Sequence, residues 1–278
     1  MKTNVPKRFA HGAFTSILLL GACATTTPVA SNPDAARLAR FTAQTEALRT
    51  RLGIPGISAV ILRDEQVVWA KGFGYADYEH RVPATPDTVY PIASETKPMA
   101  ATLVMQLVEQ GKVGLDDPAS KYSGDFKDDR IKVKHLLSHT AGSPTPGHAF
   151  AYDPHYYEYL TQVIEKATGK PVREVFAETL LDPLGMTSSV PGPDVLKDPK
   201  WADVLGQERM DRYAQVLTRQ AQPYTSYGEG EVVHVGYPGG FFGASAGMLS
   251  TVLDMAKFDA AIDRHVLLKP ATQDQAWS

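Results

Sequence analysis

Pro91-Ile92-Ala93-Ser94-Glu95-Thr96-Lys97 leads into the most apolar helical pattern of the 278-residue chain, and its reading decides the rest. From Ser94 to Gln110 the residues are good helix formers. Ala100, Leu103, Val104, Leu107 and Val108 fall on one side, and Gly111 stands where a C′ glycine ends a helix. Nearly every face of this segment is apolar, so it is expected to be central and buried. The i, i+3 spacing sets Ser94 and Lys97 on one helical face. That arrangement meets three needs of acyl transfer: a hydroxyl nucleophile, a basic neighbour in a desolvated setting, and a helix N-terminus whose N–H groups face developing negative charge. Read alone, Ser94 would simply cap the helix while Lys97 solvates its first turn. A lysine there opposes the helix dipole, however, and no other serine in the chain has a lysine three residues on.

Upstream, Lys2, Lys7 and Arg8 precede the apolar run Ala13 to Leu20 and then Gly21-Ala22-Cys23. This is the pattern of a secretory signal, and the run is too short to span a bilayer. Leu20-Gly21-Ala22-Cys23 resembles the lipobox of bacterial lipoproteins, in which the cysteine becomes the lipidated first residue. Residues 1–22 are therefore expected to be removed and Cys23 lipidated, which gives an exported, membrane-anchored lipoprotein facing the periplasm or cell envelope. Cys23 is the only cysteine, so an internal disulfide or a cysteine zinc site is excluded. Residues 23–36 are small, polar and proline-containing, the composition of a flexible tether. The mildly acidic remainder, without basic runs, suggests no nucleic-acid partner, and 43% hydrophobic residues suffice for a large core.

After the tether, Leu38, Phe41, Leu48 and Leu52 recur at helical spacing until Gly53 and Pro55. Ile57 to Leu62 and Val67 to Gly72, separated by Arg63-Asp64-Glu65-Gln66, read as an antiparallel hairpin, so a helix and hairpin occupy 37–75. From Asp116 to about Gly192 the pattern is short helices broken by Pro and Gly, at Val133 to Ser138, Tyr156 to Thr168 and Val172 to Leu181, with no strand pattern, within a subdomain of about 112–230. An all-helical subdomain is expected there. A last helix runs from Thr251, an N-cap with Asp254 three residues on, to Ile262. His135, His139, His148 and His155 lack metal-like spacing with carboxylates, and the glycines of 236–247 lack the context of a phosphate loop. No cofactor or metal is implied.

The segments PIASETK (91–97), LVEQGKVGLDDP (107–118), IKVKHLLSHTAG (131–142), DPLGM (182–186) and GFFGASAGMLSTVLDMAKF (240–258) occur in an order that resembles the serine β-lactamase family of class C enzymes, D-alanyl-D-alanine carboxypeptidases and related esterases. The resemblance covers residues 38–278. It implies an α/β (α+β) fold, β-lactamase/transpeptidase-like, with helices on an antiparallel sheet plus an all-helical subdomain. It also implies that Ser94 is the nucleophile, Lys97 its proton-handling partner, and Tyr152 a second general acid/base. The family's second motif, Tyr-x-Asn, corresponds to Tyr152-Asp153-Pro154. No asparagine follows Asn32 anywhere, so the amide that orients the lysine and contacts the substrate is absent. The third motif, Lys-Thr-Gly or His-x-Gly, is expected many residues after 240–258, together with three sheet strands and the second oxyanion N–H, past Ser278, so the 37–278 domain is expected to be C-terminally incomplete with those strands missing; His234-Val235-Gly236 precedes that block and is read as coincidence. The implied activity is a serine hydrolase acting on an ester or amide in a small molecule or peptide, of esterase or carboxypeptidase type. The alternative is a non-catalytic lipoprotein that binds cell-wall peptide or a protein partner.

Overall fold

The computed structural model describes residues 33–227, 231–237 and 240–277. The signal segment 1–22, Cys23 and most of the expected tether lie outside these residues. Helix α1 (Pro33–Arg51) begins earlier than expected, so residues 33–36, read as tether, are its first turn. Ala35 and Ala36 are good helix formers, and Asp34 favours the positive helix end. Chain direction then reverses at Gly53 into β1 (Gly56–Arg63) and β2 (Gln66–Asp77), an antiparallel pair closed by Asp64 and Glu65. Both turn residues have positive φ, which matches the twist a two-residue hairpin turn requires. A short β3 (Val82–Pro83) pairs with the far end of β2, giving the order β1-β2-β3.

The chain next forms β4 (Tyr90–Pro91), a 3₁₀ turn over Ala93–Glu95, and α2 (Thr96–Glu109), which Gly111 ends at φ +68°. As expected, α2 is the centre of the molecule. Met99, Ala100, Leu103 and Val104 are all but inaccessible to solvent and pack with Leu136, Leu160, Ile164, Phe176 and Leu180. Those partners come from α3 (Val133–Leu137), α5 (Leu160–Thr168), α6 (Val172–Phe176) and the π-helical turn Ala177–Leu181 that continues it. The helix expected over 156–168 is broken in two. A separate α4 (Pro154–Glu158), whose N-terminus Asp153 caps by accepting from the N–H groups of His155 and Tyr156, precedes α5, and between them the Tyr159 N–H donates to Tyr156 O three residues back, tightening the turn.

The region 112–230 is not wholly helical. It contains β5 (Val190–Pro191), then α7 (Lys200–Leu205) and α8 (Gln207–Leu217), and then β6 (Tyr224–Tyr227), which pairs antiparallel with β7 (Glu231–His234). β5 is a two-residue strand, too short to show an alternating pattern. β6 and β7 put β-branched and aromatic residues such as Thr225, Tyr224, Val232 and Val233 in register across a hairpin. Strand β8 (Met248–Ser250) lies between β4 and β5. Helix α9 (Val252–Asp263) follows with the expected cap, the Thr251 hydroxyl accepting from Asp254 N–H at 3.1 Å, and α10 (Pro270–Trp277) ends the described chain. Among the described residues no helix is long and apolar enough to cross a membrane.

Candidate active site

Strand β8 holds the turn that carries Ser94. Ile92 N–H donates to Met248 O at 2.9 Å, and Met248 N–H donates to the Thr96 hydroxyl at 3.2 Å, which itself donates to Ala93 O at 2.7 Å. Ala93 is thereby kept at φ +46°, a region L-residues seldom adopt outside constrained sites. This kink presents Ser94 to solvent at the start of α2, while Lys97, one turn on, is 6% exposed.

The structure brings the three expected residues together. Lys97 Nζ donates to Ser94 Oγ at 3.1 Å, and Ser94 Oγ and Tyr152 OH lie 2.6 Å apart. Lys97 Nζ also lies 5.0 Å from the Tyr152 ring centre. Hydrogen bonding to Lys97 first, and to Ser94 second, holds the Tyr152 hydroxyl below the ordinary phenol value. A cationic neighbour favours the tyrosinate, so Tyr152 is the more readily ionised for its position. The residues aligned with the missing asparagine do other work: Asp153 caps α4 and Pro154 is its first residue.

Four residues that sequence reading did not assign to the site complete it. The carbonyl of Ser245 accepts from Lys97 Nζ at 2.7 Å. Glu158, at the end of α4, accepts from both Ser245 N–H and Ser245 Oγ. Tyr157 is buried and donates to Lys97 O at 3.0 Å, and that burial pushes its hydroxyl far up, keeping it a neutral donor. His139, read as structural, packs its ring 4.6 Å from that of Tyr152 and accepts from Asp153 N–H at Nδ1. Burial, and then the charge of Lys97, lower its proton affinity. Tyr157 and His139 lie in motifs visible in the sequence. Nothing local signals Glu158, whose role exists only once 243–247 folds against α4. His135 is structural, its Nδ1 accepting from Lys132 N–H. His234 lies on the β6–β7 hairpin against Glu79 and Tyr224. Among the described residues no group of three or more His, Cys, Asp or Glu is placed to hold a metal ion.

With this geometry established, known proteins can be compared. The Beta-lactamase family model matches residues 41–278, and the chain belongs to that family. Protein flp of Staphylococcus aureus is 29% identical over 170 residues, which span 48% of this chain and 34% of that protein. The chain thus covers about a third of the length of that relative. Among solved structures, an octameric penicillin-binding protein homologue from Pyrococcus abyssi superposes with TM-score 0.70 at 29% identity, covering 87% of this chain and 59% of the other. EstCE1, a hydrolase with promiscuous acyltransferase activity, shares the fold at TM-score 0.67 and 21% identity, with 86% and 76% covered. The mixed helix and antiparallel-sheet architecture is therefore the β-lactamase/transpeptidase-like fold expected from the sequence.

Proposed function

We propose that this protein is an exported serine hydrolase that cleaves an ester or amide through an acyl-enzyme on Ser94, of esterase or D-Ala-D-Ala carboxypeptidase type. The observation that carries the reading is Ser94 Oγ within hydrogen-bond reach of both Lys97 Nζ at 3.1 Å and Tyr152 OH at 2.6 Å. Ser94 Oγ attacks the carbonyl carbon as its proton passes to the Tyr152–Lys97 pair. The backbone N–H of Ser94, at the head of α2, faces the developing oxyanion. The same pair returns the proton to the departing alcohol or amine as the carbonyl re-forms. Water then repeats the sequence on the acyl-enzyme, releasing the acid and restoring Ser94. The absence of an amide side chain at 153 and 154 favours esters or peptides over β-lactams, because the group that recognises the β-lactam side chain is missing. Lipidation of Cys23 would hold the enzyme at a membrane surface in the cell envelope.

The test compares hydrolysis of a short-chain p-nitrophenyl ester with that of a chromogenic cephalosporin, with Ser94→Ala as control. The ester is expected to turn over faster, and the substitution to remove roughly 10³-fold or more of the rate. Faster cephalosporin turnover would overturn the ester preference. Failure of a fluorophosphonate probe to label Ser94 would replace the hydrolase reading with that of a binding lipoprotein.

A further inference from the structure

With the second-motif asparagine absent, another part of the molecule must hold Lys97 toward Ser94. Its Nζ meets Ser94 Oγ at 3.1 Å and the Tyr152 hydroxyl, the two groups the lysine serves, and donates to Ser245 O at 2.7 Å, which orients it. Ser245 belongs to the turn 243–247, which contributes no helix or strand to the fold. What fixes this turn is α4 and α5. One carboxylate oxygen of Glu158 accepts both the N–H and the hydroxyl of Ser245, the first at 3.0 Å. The other accepts from the Thr161 hydroxyl at 2.8 Å, and the Thr161 oxygen accepts Ala244 N–H at 2.8 Å. The approach is so close that a Cβ on Gly243 would stand 1.8 Å from Glu158 Oε1, which explains a glycine at that position. Ser245 is 3% exposed, so little water reaches its end of the clamp.

We infer that Glu158 is a positioning residue for catalysis, fixing the carbonyl of Ser245 so that Lys97 Nζ stays on Ser94 Oγ in place of the missing asparagine. The inference rests on the hydrolase reading for its consequence but not for its geometry. A charged acceptor with three donors makes a stiffer clamp than a neutral turn would. Because α4 carries Asp153 at its N-terminus and Glu158 at its C-terminus, the same five-residue helix sets both Tyr152 and the support of Lys97.

Glu158→Ala and Glu158→Gln in the full chain provide the test, read by ester kinetics across pH and by the ¹⁵Nζ resonance of Lys97. The alanine variant is expected to lose on the order of 100-fold in kcat with KM nearly unchanged, since misplacement by about 1 Å has that effect. Its pH–rate profile should move and the Lys97 resonance should shift. The glutamine variant, which keeps an acceptor toward Ser245, should recover most of the rate. If the alanine variant fails to fold, Glu158→Asp, which withdraws the carboxylate by one methylene, takes its place with the same expectations. A folded variant with wild-type kcat, pH profile and Lys97 resonance would overturn the inference. If the wild-type protein forms no acyl-enzyme, the hydrolase reading falls, and the Lys97 resonance in wild type and variant still decides the positioning claim.

Discussion

The packing around α2 and the packing of the α1–β1–β2 layer are built differently. Toward α3, α5 and α6 the side chains interlock, with Leu136, Leu160, Ile164 and Phe176 fully buried. In the α1–β1–β2 layer, by contrast, no residue of β1 is fully buried, and the apolar stripe of α1 stays open, Phe41 at 42% and Leu48 at 45% exposed. The contact of α1 with β2 includes the edge of Phe41 on Trp69, with ring centres 5.3 Å apart. The buried groups that meet Lys97, Tyr157 and Ser245, belong to the interlocked side or to the turn clamped on it. Ser94, which faces solvent, thus has a buried neighbour in Lys97, which is rooted in the closely packed part of the fold.

The sharpest way to break this contrast is to open the packed side. Leu103→Ala should cost about 2–5 kcal/mol in denaturant unfolding, the loss of a fully buried leucine with its cavity. Thermal or urea melts would measure it, and a loss below about 1 kcal/mol would mean that this side is no tighter than the other. A smaller effect separates two histidines by pH. His139, desolvated against Lys97 and Tyr152, has its proton affinity lowered, so the neutral form stabilises the fold. That contribution is present above the ordinary histidine value of about 6.5 and is lost as pH falls through the lower folded value. His80, exposed and hydrogen-bonded to Asp77, is raised, so its contribution is present below that value and lost as pH rises through the folded one. Histidine titration by NMR should place His139 below and His80 above the ordinary value, and the reverse order would refute the contrast. The smallest effect is expected at the open face. Phe41→Ala should cost less than about 1 kcal/mol in the same melts, because much of the ring is already in water.

Much of the fold was legible because its signals are local. The apolar run of α2, the cap pair Thr251 and Asp254, and the paired β-rich runs around Asp64 and Glu65 each carry their meaning within a few residues. Hairpin β6–β7 escaped notice because its strands are four residues each and their register appears only on pairing. The break between α4 and α5 was likewise hidden in a helical pattern that runs through both. In the candidate site, the spacing set Ser94 and Lys97 on one helical face and the family resemblance added Tyr152, and the three side chains do lie together. Glu158 and Ser245 were not legible, since 87 residues separate them and neither has a distinctive neighbour.

By itself, then, the sequence determined the central helix, a serine at its head with a lysine one turn on, and the absence of asparagine after Asn32. These are matters of composition and of periodicity within single elements. Only the tertiary structure decided what holds the lysine in place. Ser245 O reaches Lys97 across 148 residues, and Glu158 secures that carbonyl from another helix. Such a contact depends on how separate elements pack, which no local pattern of residue types encodes.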